Sequence, residues 1–505
     1  MELRDAITQF RTALKLKPGF VQAHINLANA FSEKNKLEDA AAEASVAVKL
    51  APKDSEAHRT LGRALNFRGD LSEAIAEYQR ALQLEPQRFD LHDELGSLLA
   101  QSSQLDAAAD QFTEALKLQP KFSSATLHLG VIRWQQKELD DAQRLLQTAV
   151  QLAPQNPQAH FYLACVWQDK NQREDAIREL RFAVQLQPTF ADAQTRLGLN
   201  LQRVNDAEGA VAAFREVVKL QPESADAHNN LGLALIQIGD AANAVPEFET
   251  ALRLHPDDAS YRTNLGTAYL QRTDFDSAIR EFKSALQIAP NDPTLHYDLG
   301  LALKFKDQLP EAIAEFQKAA ELDPAQADVH YTLGITFWQQ GKFDNAASEM
   351  RLAIQAKPDY AEAYYMLGTV LKQQNKLPEA AAALREAVRL QPDFAGAHTT
   401  LAAVLRQSGD AAGAAAEARL AGEISKNKDS LQAATFDTNS GRRLLNLGDL
   451  EGAIAQFRSA ISRAPTYAPA HFHLGEALKR KGESSEAQKE FQRAAELDPH
   501  FKTTP

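Results

Sequence analysis

Residues 21–54 read VQAHINLANAFSEKNKLEDAAAEASVAVKLAPKD. The register of this 34-residue stretch returns along almost the whole chain, with further full units beginning at Ser55, Phe89, Ser123, Pro157, Ala191, Ala225, Ala259, Pro293, Ala327, Ala361, Ala395, Ala434 and Ala468. Its clearest mark is a comb of prolines 34 residues apart, from Pro18, Pro52 and Pro86 to Pro392. The comb misses at Lys426 and resumes five residues late at Pro465, followed by Pro499. A fixed period of this length belongs to a solenoid, in which each unit is too small to bury a core alone and stacks on its neighbours.

Within the unit the apolar residues keep helical spacing. Positions 4, 7, 8 and 11 form one stripe, and positions 20, 24, 27 and 28 another, so each unit is two helices. The seventh residue is leucine in all units except the one with Ser440, and the twentieth is always alanine. Position 8 is always Gly or Ala, which lets two helix backbones approach closely. The fifteenth residue is Gly or Asn in ten of fourteen units, the residues that accept the left-handed conformation of a helix C-cap. Proline then ends the second helix. Pro310 and Pro378 suit the first turn of a helix, whereas Pro246 lies deeper and is predicted to strain its helix locally.

The rest of the composition agrees with an all-α chain: Ala, Leu, Glu, Gln, Lys and Arg dominate, and β-branched runs are missing. A net charge of −12 with interleaved signs argues against nucleic-acid binding. One cysteine, Cys165, leaves no disulfide framework and no cysteine-based zinc site. No apolar run approaches the roughly 18 residues of a membrane span, and the N-terminus lacks a signal-peptide core, so the default compartment is the cytoplasm. No phosphate loop, HExxH motif or nucleophile elbow occurs, and neither catalytic residues, metal ligands nor a cofactor are expected.

Leu-Gly near the start of the unit, Ala and Phe four apart, then Ala and Pro at a 34-residue period resemble the tetratricopeptide repeat. The resemblance implies an α-solenoid, a right-handed superhelix of antiparallel helix pairs, that serves as a scaffold for protein partners. One departure stands out. The aromatic fourth residue of the family is here histidine in nine units: His24, His58, His92, His160, His228, His296, His330, His398 and His471. They are expected to be packed or half-buried stand-ins for an aromatic ring.

This register organises the chain as a half repeat over 1–20, twelve full repeats over 21–426, a register break or connection over 427–433, two further repeats over 434–501, and a tail over 502–505. The isolated second helix at the start, with Leu3, Ile7, Phe10 and Leu14 on one face, suggests an upstream portion absent from this sequence. Self-association through uncapped ends is the alternative.

In the family the first helices line the concave surface through positions 2, 5, 9, 12 and 13. Carried onto this chain, those positions give a candidate partner-binding groove containing Leu127, Val131, Trp134, Phe161, Leu233, Tyr297, Lys304, Tyr331, Trp338, Tyr365, Lys372, Arg406 and Arg442. An apolar and aromatic strip there marks a binding surface, unless some of its members merely close the space between neighbouring helices. Seven glutamines at position 13, Gln101 and Gln407 among them, could hold an extended backbone. In the last six repeats the groove cations Lys304, Lys372, Arg406, Arg442, Lys479 and Arg480 outnumber Asp328, Glu362 and Glu476, while in the first eight repeats acids prevail. An acidic segment of a partner is therefore expected toward the C-terminal side. The leading expectation is a non-enzymatic scaffold binding an extended or helical peptide segment in its groove. The alternatives are the repeat arm of a larger enzyme, such as a glycosyltransferase, and a self-assembling structural element.

Overall fold

A computed structural model describes residues 2–501; the tail expected over 502–505 lies outside them. Among the described residues there are 28 α-helices, a short 3-10 turn at Pro499–Phe501, and no strand. The chain forms two compact units, residues 1–272 and 273–505. Within each, the helices come in pairs such as Ala225–Gln237 with Ala241–Leu254, and Ala327–Gln339 with Phe343–Ala356.

The small eighth residue has a definite job. At Gly232 an added Cβ would lie 2.6 Å from Cε1 of Phe248, and the same clash recurs at Gly198 with Phe214 and at Gly300 with Phe316. These phenylalanines are fully buried, so the rings cannot swing away. Repeats with alanine at position 8 (Ala28, Ala164 and Ala402) carry no aromatic at position 24, where Ala44, Leu180 and Ala418 stand. The missing methyl group is thus the space into which the facing side chain packs, a ring in most repeats and Leu146, Met350 or Leu384 at Gly130, Gly334 and Gly368.

All fourteen inter-helix turns take positive φ at position 15. Ten use Gly or Asn as the sequence predicts, but Ser103, Lys137, Thr273 and Asp307 do the same. Fixed helix ends on both sides impose the turn, overriding the local preference of the residue. The helix Ala241–Leu254 also runs through Pro246 without a break. Ala242, whose carbonyl would otherwise accept the missing hydrogen bond, is exposed to water.

The predicted connection over 427–433 is corrected: it is helix. Ala411–Asn446 is a single helix of 36 residues. Lys426 stands where other repeats have proline, and nothing in SKNKDSLQ stops the helix, so it continues into what would have been the next first helix. Its early part pairs with Ala395–Gln407 through His398 and Glu417 (2.6 Å). Its late part pairs with Leu450–Arg463, where Gly441 faces Phe457 and Asp437 accepts from Ser459 (2.8 Å). No residue between Ala421 and Ala434 is buried, so this middle stretch spans water. Restoring the comb with Lys426→Pro should cost roughly 3 kcal/mol of local helix. Limited proteolysis checks this: the variant is expected to be cut between residues 422 and 433 under conditions that leave the parent intact.

Candidate functional site on the first-helix face

Positions 2, 5, 6, 9, 12 and 13 of each repeat fall on one side of its first helix, since they are separated by three or four residues or lie beside one another on the turn. In residues 1–272 this face is laced by side-chain pairs between successive repeats. Arg59 donates Nε–H to Glu94 Oε2 (3.0 Å), which also accepts from the Tyr78 hydroxyl (2.7 Å). That pairing holds the Arg59 guanidinium firmly charged, while burial first and the neighbouring Glu94 second drive the Tyr78 phenol far up from its ordinary value. One repeat on, Asp93 binds His128 Nδ1 (2.9 Å) and the Ser124 hydroxyl (2.8 Å). Two hollows lie along this stretch. One, of about 470 Å³, is bordered by Arg63, Phe67, Glu94 and Gln101. The next, of about 370 Å³, is bordered by Leu127, His128, Val131, Gln135 and Tyr162.

Sequence position does not fix depth. Leu127 is 4 % exposed and Phe161 8 %, so both are largely buried, although Leu127 still borders the second hollow. The Phe161 ring sits 4.8 Å from Phe190 and beneath the Arg196 guanidinium. Val131 and Trp134 are half-buried, with the Trp134 indole donating to Asp169 (3.0 Å), and Leu233 is 36 % exposed. His128 and Tyr162, both at position 6, border the hollows but were not among the expected residues. Helical geometry could have found them, because position 6 shares the flank of position 9.

Residues 273–505 carry a different surface. Tyr297, Tyr331, Trp338 and Tyr365 are half-buried. Tyr331 packs on Tyr360 at 5.0 Å and Tyr365 on Phe394 at 4.8 Å, so each ring presents one side while the other braces the repeat. The cations have no such partners. Burial alone acts on the Lys304 ammonium, pushing its pKa down. Lys372 is half-buried, Arg406 and Arg442 are exposed, and none of the three makes an ion pair among the described residues. Two of the three groove carboxylates here have partners, while Glu362 is exposed. Asp328 accepts from the Tyr360 hydroxyl (2.7 Å) and Glu476 pairs with His473 (2.7 Å). Burial pushes the Asp298 carboxyl up to about 6.

Cys165 is 1 % exposed, and burial pushes its thiol up to about 11, the reverse of what a nucleophile needs. It should resist a thiol-specific reagent such as DTNB at pH 8 and react fully once the chain is denatured, which a simple absorbance assay distinguishes.

Tetratricopeptide-repeat family models match residues 2–55, 266–304, 306–341, 337–404 and 444–502. The chain belongs to the tetratricopeptide repeat family. A further match, to the cilia and flagella-associated protein 70 C-terminal domain, covers residues 51–264. Residues 405–443, which hold most of the long helix, lie outside all of these matches. Similar solved structures include YrrB, titled a TPR protein with an unusual peptide-binding site, at 24% identity over 37% of this chain and 97% of that one, TM-score 0.33. MamA from Desulfovibrio magneticus RS-1 is 24% identical over 34% of this chain and 96% of its own, TM-score 0.32. Yeast Tom70 is 16% identical over 88% of this chain and 92% of its own, TM-score 0.35. No curated protein matches the chain. Tetratricopeptide proteins bind protein or peptide partners and are generally non-catalytic. Among the described residues no helix is long and apolar enough to cross a membrane.

Proposed function

We propose that this chain is a non-catalytic scaffold whose first-helix face over residues 273–505 holds an acidic, extended or helical segment of a protein partner. The observation that carries this reading is the set of unpaired cations, Lys304, Lys372 and Arg406, set among the half-buried rings of Tyr297, Tyr331, Trp338 and Tyr365. An ammonium or guanidinium that makes no ion pair among the described residues, on a face where cations outnumber acids, is ready to meet a partner's charge. The rings add apolar area braced from behind, so little entropy is lost when a partner covers them. The first-helix face over residues 1–272 is different: there Arg59 pairs with Glu94 and Asp93 with His128, and these pairs tie successive repeats together.

A labelled peptide of alternating glutamate and leucine is the test, with its lysine–leucine counterpart as control. The acidic peptide is expected to bind, and to weaken as salt screens the contact. Equal binding of the two peptides, or preference for the basic one, would overturn the proposal.

A further inference from the structure

The nine histidines at position 4 make the same pair of contacts every time. Nε2 lies 2.9–3.2 Å from the carbonyl oxygen of the proline six residues earlier, as in His160 to Pro154 (3.1 Å) and His330 to Pro324 (3.2 Å). Nδ1 lies 2.6–2.8 Å from a side-chain oxygen nineteen residues later. In eight repeats that oxygen belongs to a glutamate: Glu179 for His160 (2.7 Å), Glu349 for His330 (2.7 Å), Glu77 for His58 (2.6 Å) and their equivalents. In the ninth it is Gln111, facing His92. The ring therefore ties the end of the preceding repeat to the second helix of its own repeat.

Hydrogen counting points to a protonation state. A backbone carbonyl and an ionised carboxylate both only accept, so each ring nitrogen must donate. A neutral imidazole carries one N–H; only the imidazolium carries two. We propose that the eight His–Glu pairs form a proton-loaded spine, which fastens successive repeats together when the rings are charged and loosens their junctions when they lose the proton.

The surroundings fit. Among charged groups only Glu179 acts through space on the His160 ring, and only Glu349 on His330. Phe182 packs 5.4 Å from the His160 ring, Arg178 lies 3.7 Å from the far oxygen of Glu179, and Arg80 binds the far oxygen of Glu77 (2.6 Å). Both His160 and His330 are held above the ordinary histidine value, chiefly by the bond to their glutamate and against burial. A raised folded-state value means the stabilisation is complete below about pH 6.5, the value of an unfolded histidine, and is lost as pH rises through the folded value. Gln111 supplies a built-in contrast. Its amide can turn to present N–H to a neutral His92 ring, so that repeat keeps both bonds after deprotonation.

The test uses the full chain labelled with nitrogen-15 histidine. At pH 6 the rings of His160 and His330 are expected to carry protons on both nitrogens and to titrate with midpoints above about 6.5. Glu179→Gln with Glu349→Gln, which copies the natural His92 arrangement, should lower those two midpoints by about one unit. It should also flatten the fall in melting temperature between pH 6 and pH 9. Singly protonated rings at pH 6, or midpoints that ignore the glutamate change, would overturn the proposal. The spectrum of the parent chain at pH 6 decides the matter even if the double variant does not fold.

Discussion

Gly232→Ala is expected to destabilise residues 1–272 by about 1–3 kcal/mol, although alanine is ordinarily the better helix former. The added Cβ would sit 2.6 Å from the Phe248 ring, inside any real contact distance, and Phe248 is fully buried on all sides. Either the ring leaves its rotamer or the two helices separate, and both disturb the packing with neighbouring repeats. Phe248→Leu alone should cost about 1 kcal/mol for the lost ring volume. In combination the two should largely cancel, because Ala164 with Leu180 already fills the same pair of positions in this chain. Denaturant midpoints of the parent, both single variants and the double variant measure the coupling; a favourable coupling of about 1 kcal/mol or more is expected. Simple additivity would show that the glycine is there for another reason.

The second large effect concerns binding. Lys304→Gln, Lys372→Glu and Arg406→Glu together should weaken an acidic peptide by about 2 kcal/mol or more, about 30-fold in Kd. Thermal stability should barely change, because none of the three side chains makes an ion pair among the described residues. The aromatic residues are poorer probes. Truncating Tyr331 would also remove its packing on Tyr360, so stability and affinity would fall together. Isothermal titration alongside melting curves separates the outcomes: weaker binding at unchanged stability supports the groove, whereas unchanged binding removes it.

The helical repeat was legible because its signals are redundant. Alanine at position 20 and small residues at position 8 recur in every unit, so no single departure hides the period. The left-handed turn was legible at Gly69 but not at Lys137 or Thr273, whose own preferences oppose it. There the flanking helices decide. The break at Lys426 was visible as a missing proline, yet lysine only permits a helix to continue; continuity to Asn446 follows from the whole stretch lacking a stop. Depth on the first-helix face was the least legible feature. Leu127 and Leu233 carry the same side chain at positions 5 and 9, but the first is 4 % exposed and the second 36 %. The histidines stand at the family's aromatic position, and the sequence also carries their partner. Where position 4 is His, position 23 is Glu or Gln; where it is Thr126, Gln194 or Tyr364, position 23 is Leu145, Ala213 or Ala383.

The central claim is that the face over residues 273–505 selects acidic partners by its unpaired cations. Selection of a random peptide library on the immobilised full chain tests it most directly. The account predicts sequences enriched in Asp and Glu beside aromatic or aliphatic residues, and their loss when Lys304→Gln, Lys372→Glu and Arg406→Glu replace the cations. Recovered sequences without acidic enrichment, held equally well by the substituted chain, would contradict it.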